Sequence, residues 1–333
     1  MFVQDNYESV EQVCYDERHI QQVLESITKM FDGYFERYLL SKAGKGLSEE
    51  DISSLQSKFC IKPVNKKINK NLSDNYREII CDAIEDFEKD RDDYINIFDL
   101  ELIEDYEEDL SSFKSKVLKC DCPIIRKTLQ AKRAKELDKY RAEFSRADPE
   151  ELHTVIYNLC EFGMSYQDEY SEYVYDEIDD YGELGMGALD TEEYTVYGVI
   201  GGGIKTHMLY KVYPEFFSNR SRSALWALWF LTDKDSYGLE TDSEFLMIDV
   251  KNNIVQQNYF YPYELFAYYA FEIYKMLENK ALKYGVEFNR KYRYVYVNSF
   301  LEYVAFEHEN EISEIKKENE NKKGNSYGGI ENA

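Results

Sequence analysis

The 333-residue chain predicts an α+β fold, a mainly helical N-terminal region followed by a smaller α+β domain with a short sheet. Three observations predict it. Apolar residues recur at helical spacing through most of the N-terminal half. Beyond residue 194, β-branched and aromatic runs are punctuated by glycine. Charge divides the chain at the same place: of the net −25, the first 194 residues hold 24 Lys plus Arg against 46 Asp plus Glu, while residues 195–305 hold twelve against twelve. The predicted organisation is a helical region at 1–160, an acidic Tyr-rich connector or surface at 161–194, an α+β domain at 195–305 and a disordered tail at 306–333.

Composition narrows the function classes. With 44% hydrophobic and 16% aromatic residues the chain has material for a packed core, so its charge does not imply disorder. A net charge of −25 opposes phosphate backbones for the molecule as a whole and favours basic partners. The longest apolar run, Ala224 to Leu231, is far below the roughly 18 to 20 residues of a membrane span. The acidic N-terminus lacks the basic and apolar regions of a signal peptide, and six dispersed cysteines suit reduced thiols, so the expected location is cytoplasmic. Cys120-Asp-Cys122 has the start of a zinc site but no second close Cys or His pair. The richness in Tyr, Asn and Lys fits an AT-rich genome, bacterial or of a mobile element.

The N-terminal elements follow in order. Val13, Ile20, Val23, Leu24, Ile27, Phe31, Tyr34 and Tyr38 predict an amphipathic helix over Val10 to Leu40. Ser48-Glu-Glu-Asp51 has capping-box shape and predicts a short helix to about Phe59. Residues 61–75, with Lys62, Lys66, Lys67 and Lys70, read as a basic connector. A second helix starts at Asn75, a third covers Leu100 to Leu118, and a strongly basic one runs from Ile124 to Arg146. The basic helix is the candidate nucleic-acid contact, unless it only neutralises the acidic stretch from Asp99 to Asp109. Asp148-Pro149 is a helix start, leading to about Cys160.

From Glu161 to Tyr197 there are twelve acids and not one Lys or Arg, interleaved with tyrosines. This is the candidate docking surface for a basic protein partner, through Asp168, Glu169, Glu172, Asp176, Glu177, Asp179 and Asp180. An EF-hand fails there. With Gly182 at the turn position, Tyr181 falls on a ligand position and Ala188 stands where the bidentate Glu belongs.

Residues 193–200 read as a strand that ends in Gly201-Gly202-Gly203, followed by Ile204-Lys205-Thr206 and a helix-like segment. Strand, glycine loop and helix is the layout that holds phosphate on backbone N–H groups, and Lys205, Arg220 and Arg222 would complete an anion site. The P-loop spacing itself is broken by Ile204, which turns the lysine by about 100°. The segment from Arg222 to Leu231 predicts a helix that is apolar all round, with Trp226 and Trp229 as packing residues. A strand at Phe245 to Asp249 ends in Asp249-Val250-Lys251. This pattern resembles the PD-(D/E)xK nucleases, and the resemblance implies Asp249 as a Mg²⁺ ligand and Lys251 at the attacking water; the second acid it requires is not clearly supplied, with Asp242 and Glu244 on the approach to the strand and Asp233 and Asp235 farther off as candidates. Tyr261 to Lys283 reads as an amphipathic helix stopped by Gly285, and Lys291 to Asn298 as a last strand. Two functions are thus expected. The first is a cytoplasmic acidic interaction or regulatory protein that binds a basic partner, in competition with nucleic acid. The alternative is a Mg²⁺-dependent nuclease or nucleotide-acting enzyme, which would contact nucleic acid through residues 195–305.

Overall fold

The computed structural model describes residues 13–41, 66–170, 172–235, 237, 244–249, 254–258 and 260–317. Helix α1 (Glu17–Leu40) begins at Asp16, whose carboxylate accepts from the backbone N–H groups of Arg18 at 2.9 Å and His19 at 3.2 Å. It buries Ile20, Val23, Ile27, Phe31, Tyr34, Phe35 and Tyr38, the stripe that the sequence spacing predicts. The helix expected at Ser48 to Phe59 lies outside the described residues. Helix α2 (Lys66–Glu88) starts earlier than predicted: Lys66, Lys67 and Lys70, read as connector, form its first turns. Past Pro63 the sequence has no helix breaker, and lysine is a good helix former.

Two expected long helices are broken. Between α3 (Arg91–Ile97) and residue 121, the chain forms short turns at Leu100–Glu104 and Leu110–Ser112, then a π-helical stretch at Phe113–Asp121. The Asp99 side chain accepts from Leu102 N–H at 3.1 Å and that of Asp109 from Ser112 N–H at 3.2 Å. Each aspartate captures a backbone donor that a continuous helix would use, and so restarts the helix. The basic segment likewise splits into α4 (Pro123–Gln130) and α5 (Asp138–Arg146), and Arg141 donates to the Ala131 and Ala134 carbonyls freed by the break, at 3.0 and 2.9 Å. Helix α6 (Pro149–Glu169) starts where Asp148-Pro149 predicts, with Asp148 accepting from Glu150 N–H at 3.0 Å, and runs past Cys160.

The expected α+β domain is not found among the described residues, where the fold is mostly helical. Beyond α7 (Gly202–Val212) and α8 (Arg222–Leu231), the described residues hold one two-stranded antiparallel ribbon, β1 (Leu246–Asp249) and β2 (Ile254–Gln257), with Leu246 opposite Gln257 and Asp249 opposite Ile254. Residues 193–200 form a tight loop rather than a strand, closed by the bridge of Val196 to Ile200 around Gly198 at φ 77°. Helix α9 (Tyr263–Tyr284) ends on Gly285 at φ 65°, as predicted.

The last predicted strand, 291–298, is instead the start of α10 (Arg293–Glu307). Its alternating pattern misleads because the helix is buried on nearly every side. Tyr294, Val295, Tyr296, Val297, Phe300, Leu301, Val304 and Ala305 are all buried, and Arg293 is buried with them. A helix wrapped by protein has no polar face to mark a 3.6-residue period. Burial of a large apolar side chain is worth about 1.5–3 kcal/mol, whereas β-propensity spans only about 1 kcal/mol, so packing decides. Helices α1, α2, α8 and α9 all pack on α10. The chain remains helical at 309–317, where Ile312 is buried and Lys234 pairs with Glu311, so the tail expected to be disordered from 306 is ordered at least to 317.

Candidate functional site

The predicted anion loop does bring its residues together. Gly201 caps α7 and Lys205 lies one turn in. Arg220 packs so tightly on Gly202 that a Cβ there would stand 1.4 Å from its Nη2. Both cations are buried, Lys205 at 2% and Arg220 at 4% exposure. Their charge is directed at the protein itself. Lys205 Nζ donates to the Leu189 carbonyl and to Thr195 Oγ1, while Arg220 Nη1 donates to the Tyr261 carbonyl and lies 3.8 Å from Asp190. Burial pushes the Lys205 ammonium down to about 8, against the pull of Asp190. Arg222 is exposed at the start of α8. The cluster ties the 187–195 loops to α7 and to the turn before α9, and leaves no open space at Gly202 for a phosphate.

The nuclease-like residues are not assembled among the described residues. Asp249 ends β1, opposite Ile254, and Asp242 and Lys251 lie outside the described residues. The larger sheet that holds such a centre is absent from the described residues, as is any group of three His, Cys, Asp or Glu able to hold a metal ion. The basic segment spends part of its charge locally: Lys127 pairs with Asp90 at 2.9 Å, Arg126 with Asp93 at 3.8 Å and Arg141 with Asp138 at 2.6 Å. Lys132, Arg133 and Lys135 remain exposed between α4 and α5.

The described residues of 161–194 form a belt that turns Tyr166, Tyr170 and Tyr175 inward and most of its acids outward. Tyr166 donates to the Leu184 carbonyl at 2.8 Å, Tyr170 to that of Glu183 at 2.8 Å and Tyr175 to that of Phe216 at 3.0 Å. From α9, Tyr268 and Lys275 donate to the carbonyls of Asp179 and Ile178 at 2.8 and 3.0 Å. Asp168, Glu169, Glu177, Asp179 and Asp180 are exposed, and Asp180 also caps Gly182 N–H at 2.7 Å. Glu172 lies in the short helix Glu172–Asp176. Asp176 differs from the others. It is paired with Arg293 at 2.6 Å and Arg290 at 2.7 Å, which makes it a structural residue.

A second site was not foreseen from the sequence. A cleft of about 620 Å³ opens between α1, α2, α7 and α10. Three helices each turn a full stripe toward it: Ile79, Asp82, Ala83, Asp86 and Phe87 from α2; His207, Tyr210 and Lys211 from α7; Val295, Asn298, Ser299, Glu302, Tyr303 and Phe306 from α10. Residues three and four apart share one helix face, so this spacing is what a shared cleft requires. The stripes mix polar with apolar side chains, and for that reason they line a cleft rather than close into core.

The interior is held by hydrogen bonds. Asn219 Nδ2 donates to Asn298 Oδ1 at 3.0 Å, and Tyr38 and Ser299 hydroxyls pair at 2.8 Å. Lys211 Nζ lies 2.6 Å from both the Phe87 carbonyl and Asp90, and over the Phe87 ring. Burial lowers its pKa, although Asp90 opposes the shift. His207 hydrogen-bonds Tyr94 at 3.2 Å and is pushed down to about 4 by burial and by Lys211, so it is neutral at pH 7. Asn219, 7% exposed, presents its Oδ1 near His207, yet no hydrogen bond of proper geometry reaches that atom. At the rim, Glu302 is exposed and makes no ion pair among the described residues; loss of water on its protein side and repulsion by Asp86 raise its pKa, with Asn298 opposing.

No protein-family model, curated protein or solved structure matches the chain. Among the described residues no helix is long and apolar enough to cross a membrane.

Proposed function

We propose that the protein binds a basic protein partner through the outward acids of the 161–194 belt, in a cytoplasmic setting where nucleic acid competes for the same partner. The observation that carries this reading is the belt's construction. Within a stretch of twelve acids and no Lys or Arg, tyrosine hydroxyls bond the backbone at Asp179, Glu183 and Leu184, so the chain that carries the exposed carboxylates is ordered there before a partner arrives. A charged surface that is already ordered loses little conformational entropy on binding.

The test is titration of the full chain with a Lys/Arg-rich peptide at low and high salt. Binding at about 50 mM salt should weaken at least tenfold by about 300 mM, because exposed charges are screened over a Debye length of about 10 Å or less. A variant carrying Asp168→Asn, Glu169→Gln, Glu177→Gln and Asp179→Asn should lose most of that affinity. Binding that is indifferent to salt or to these four substitutions, or no binding, overturns the proposal.

A further inference from the structure

The cleft between α1, α2, α7 and α10 is a second binding site, and we infer that it takes an organic cation, an alkylammonium or guanidinium group on an aliphatic stem. The inference rests on the cleft alone and not on the belt. A buried acceptor without a partner is costly, commonly about 1–3 kcal/mol, and native proteins rarely leave one. Asn219 Oδ1 is such an atom, and its orientation is fixed because Nδ2 already donates to Asn298. What it lacks is a well-aligned donor, since His207 lies near it without forming a hydrogen bond of proper geometry.

The charges around it select the donor's sign. Among the described residues Lys211 is the one cation lining the cleft at neutral pH, and its ammonium is turned to Asp90 and the Phe87 carbonyl. His207 is neutral. Against these stand Asp82, Asp86 and Glu302 on the lining, of which Asp86 pairs with Lys89 and Glu302 makes no ion pair among the described residues, although the charge of Lys211 reaches it. An anion would meet carboxylates at the entrance and an acceptor inside. A cation would gain from both, with Tyr210 and Val295 for its stem. A volume of about 620 Å³ is in the ordinary range for small-molecule sites.

The shared chemistry has two sources, a free small amine or a basic side chain on another protein. Calorimetric titration of the full chain with agmatine, which carries both groups, and with a capped Arg-containing tripeptide separates them. Saturable one-to-one binding of agmatine assigns the site to small cations; saturable binding of the tripeptide alone assigns it to a partner's side chain. In either case Glu302→Gln should weaken binding about tenfold and Glu302→Lys should abolish it, since the new ammonium would compete at the mouth. Glu302 is exposed, so both variants should fold. The fourfold belt variant should bind the same ligand unchanged, so that loss of belt function and loss of this site are told apart. The inference is overturned if neither cation saturates, if AMP binds in preference, or if binding survives Glu302→Lys.

Discussion

Asn219 and Arg220 are neighbours in sequence and sit in opposite environments. Arg220 turns to the glycine loop, where its guanidinium fills the space over Gly202 and meets Tyr261 and Asp190. Asn219 turns to the cleft, where its oxygen lies near His207 but forms no hydrogen bond of proper geometry. Both regions are built on α7 and both hold buried polar groups. The difference is whether the protein has already satisfied them. A buried charge with its acceptors supplied is part of the scaffold, even when its sequence looks like a ligand site. A buried acceptor left open beside a cavity is the better mark of a site.

That contrast is most sharply tested by breaking the scaffold side. Arg220→Met should destabilise the protein by about 3–5 kcal/mol in urea unfolding, because it leaves Asp190 and the Tyr261 carbonyl without their buried partner. Gly202→Ala should cost several kcal/mol too, since its Cβ would displace a buried guanidinium, whereas Gly201→Ala, with nothing within 4 Å of the added carbon, should cost less than about 1 kcal/mol. Equal losses at the two glycines would mean that Arg220 is not wedged where the structure places it.

The helices and their ends were readable where a local signal acts alone. Asp148-Pro149 starts α6 and Gly285 stops α9, because a cap side chain and a left-handed glycine need only nearby backbone. Trp226, as expected of a packing residue, is buried against Trp229 with ring centroids 5.5 Å apart. The reading failed where tertiary burial overrides pattern. In α10, Arg293 is caged by Tyr175, Phe271 and Tyr274, so a charged residue occupies a core position and imitates strand alternation. The cleft was illegible for a related reason. His207 and Lys211 stand i, i+4 on a helix-like stretch, which is a visible hint, but Asn219, Asn298 and Glu302 join them only through long-range packing.

A smaller effect should separate the cleft from the rest of the molecule by pH. His207 has a folded pKa near 4, below its ordinary 6.5, so the unfolded chain takes up the proton first as pH falls. The stabilisation is complete above about pH 6.5 and is lost on acidification toward pH 4, roughly 1–3 kcal/mol after allowance for partial exposure. Asp90, held below its ordinary value by Lys211 and Lys127 despite burial, acts only at lower pH, and Glu302, with its raised pKa, acts with opposite sign. The difference between wild type and His207→Gln in stability across pH 4 to 7 isolates the histidine. A parallel pair of curves would show that His207 is not held neutral by the cleft.

The smallest expected effect is the most discriminating. Asp190 serves the scaffold, accepting from Tyr263 N–H at 2.6 Å and facing Arg220, so Asp190→Asn should lower stability by about 1–3 kcal/mol. Glu302 makes no ion pair among the described residues, and burial with repulsion by Asp86 disfavours its ionised form more than Asn298 and Lys211 favour it. Glu302→Gln at pH 7 should therefore leave stability within about 0.5 kcal/mol of wild type, or raise it slightly, as expected for an exposed carboxylate outside any ion pair. A loss above about 1 kcal/mol in Glu302→Gln would place this carboxylate with Asp190 among the structural charges.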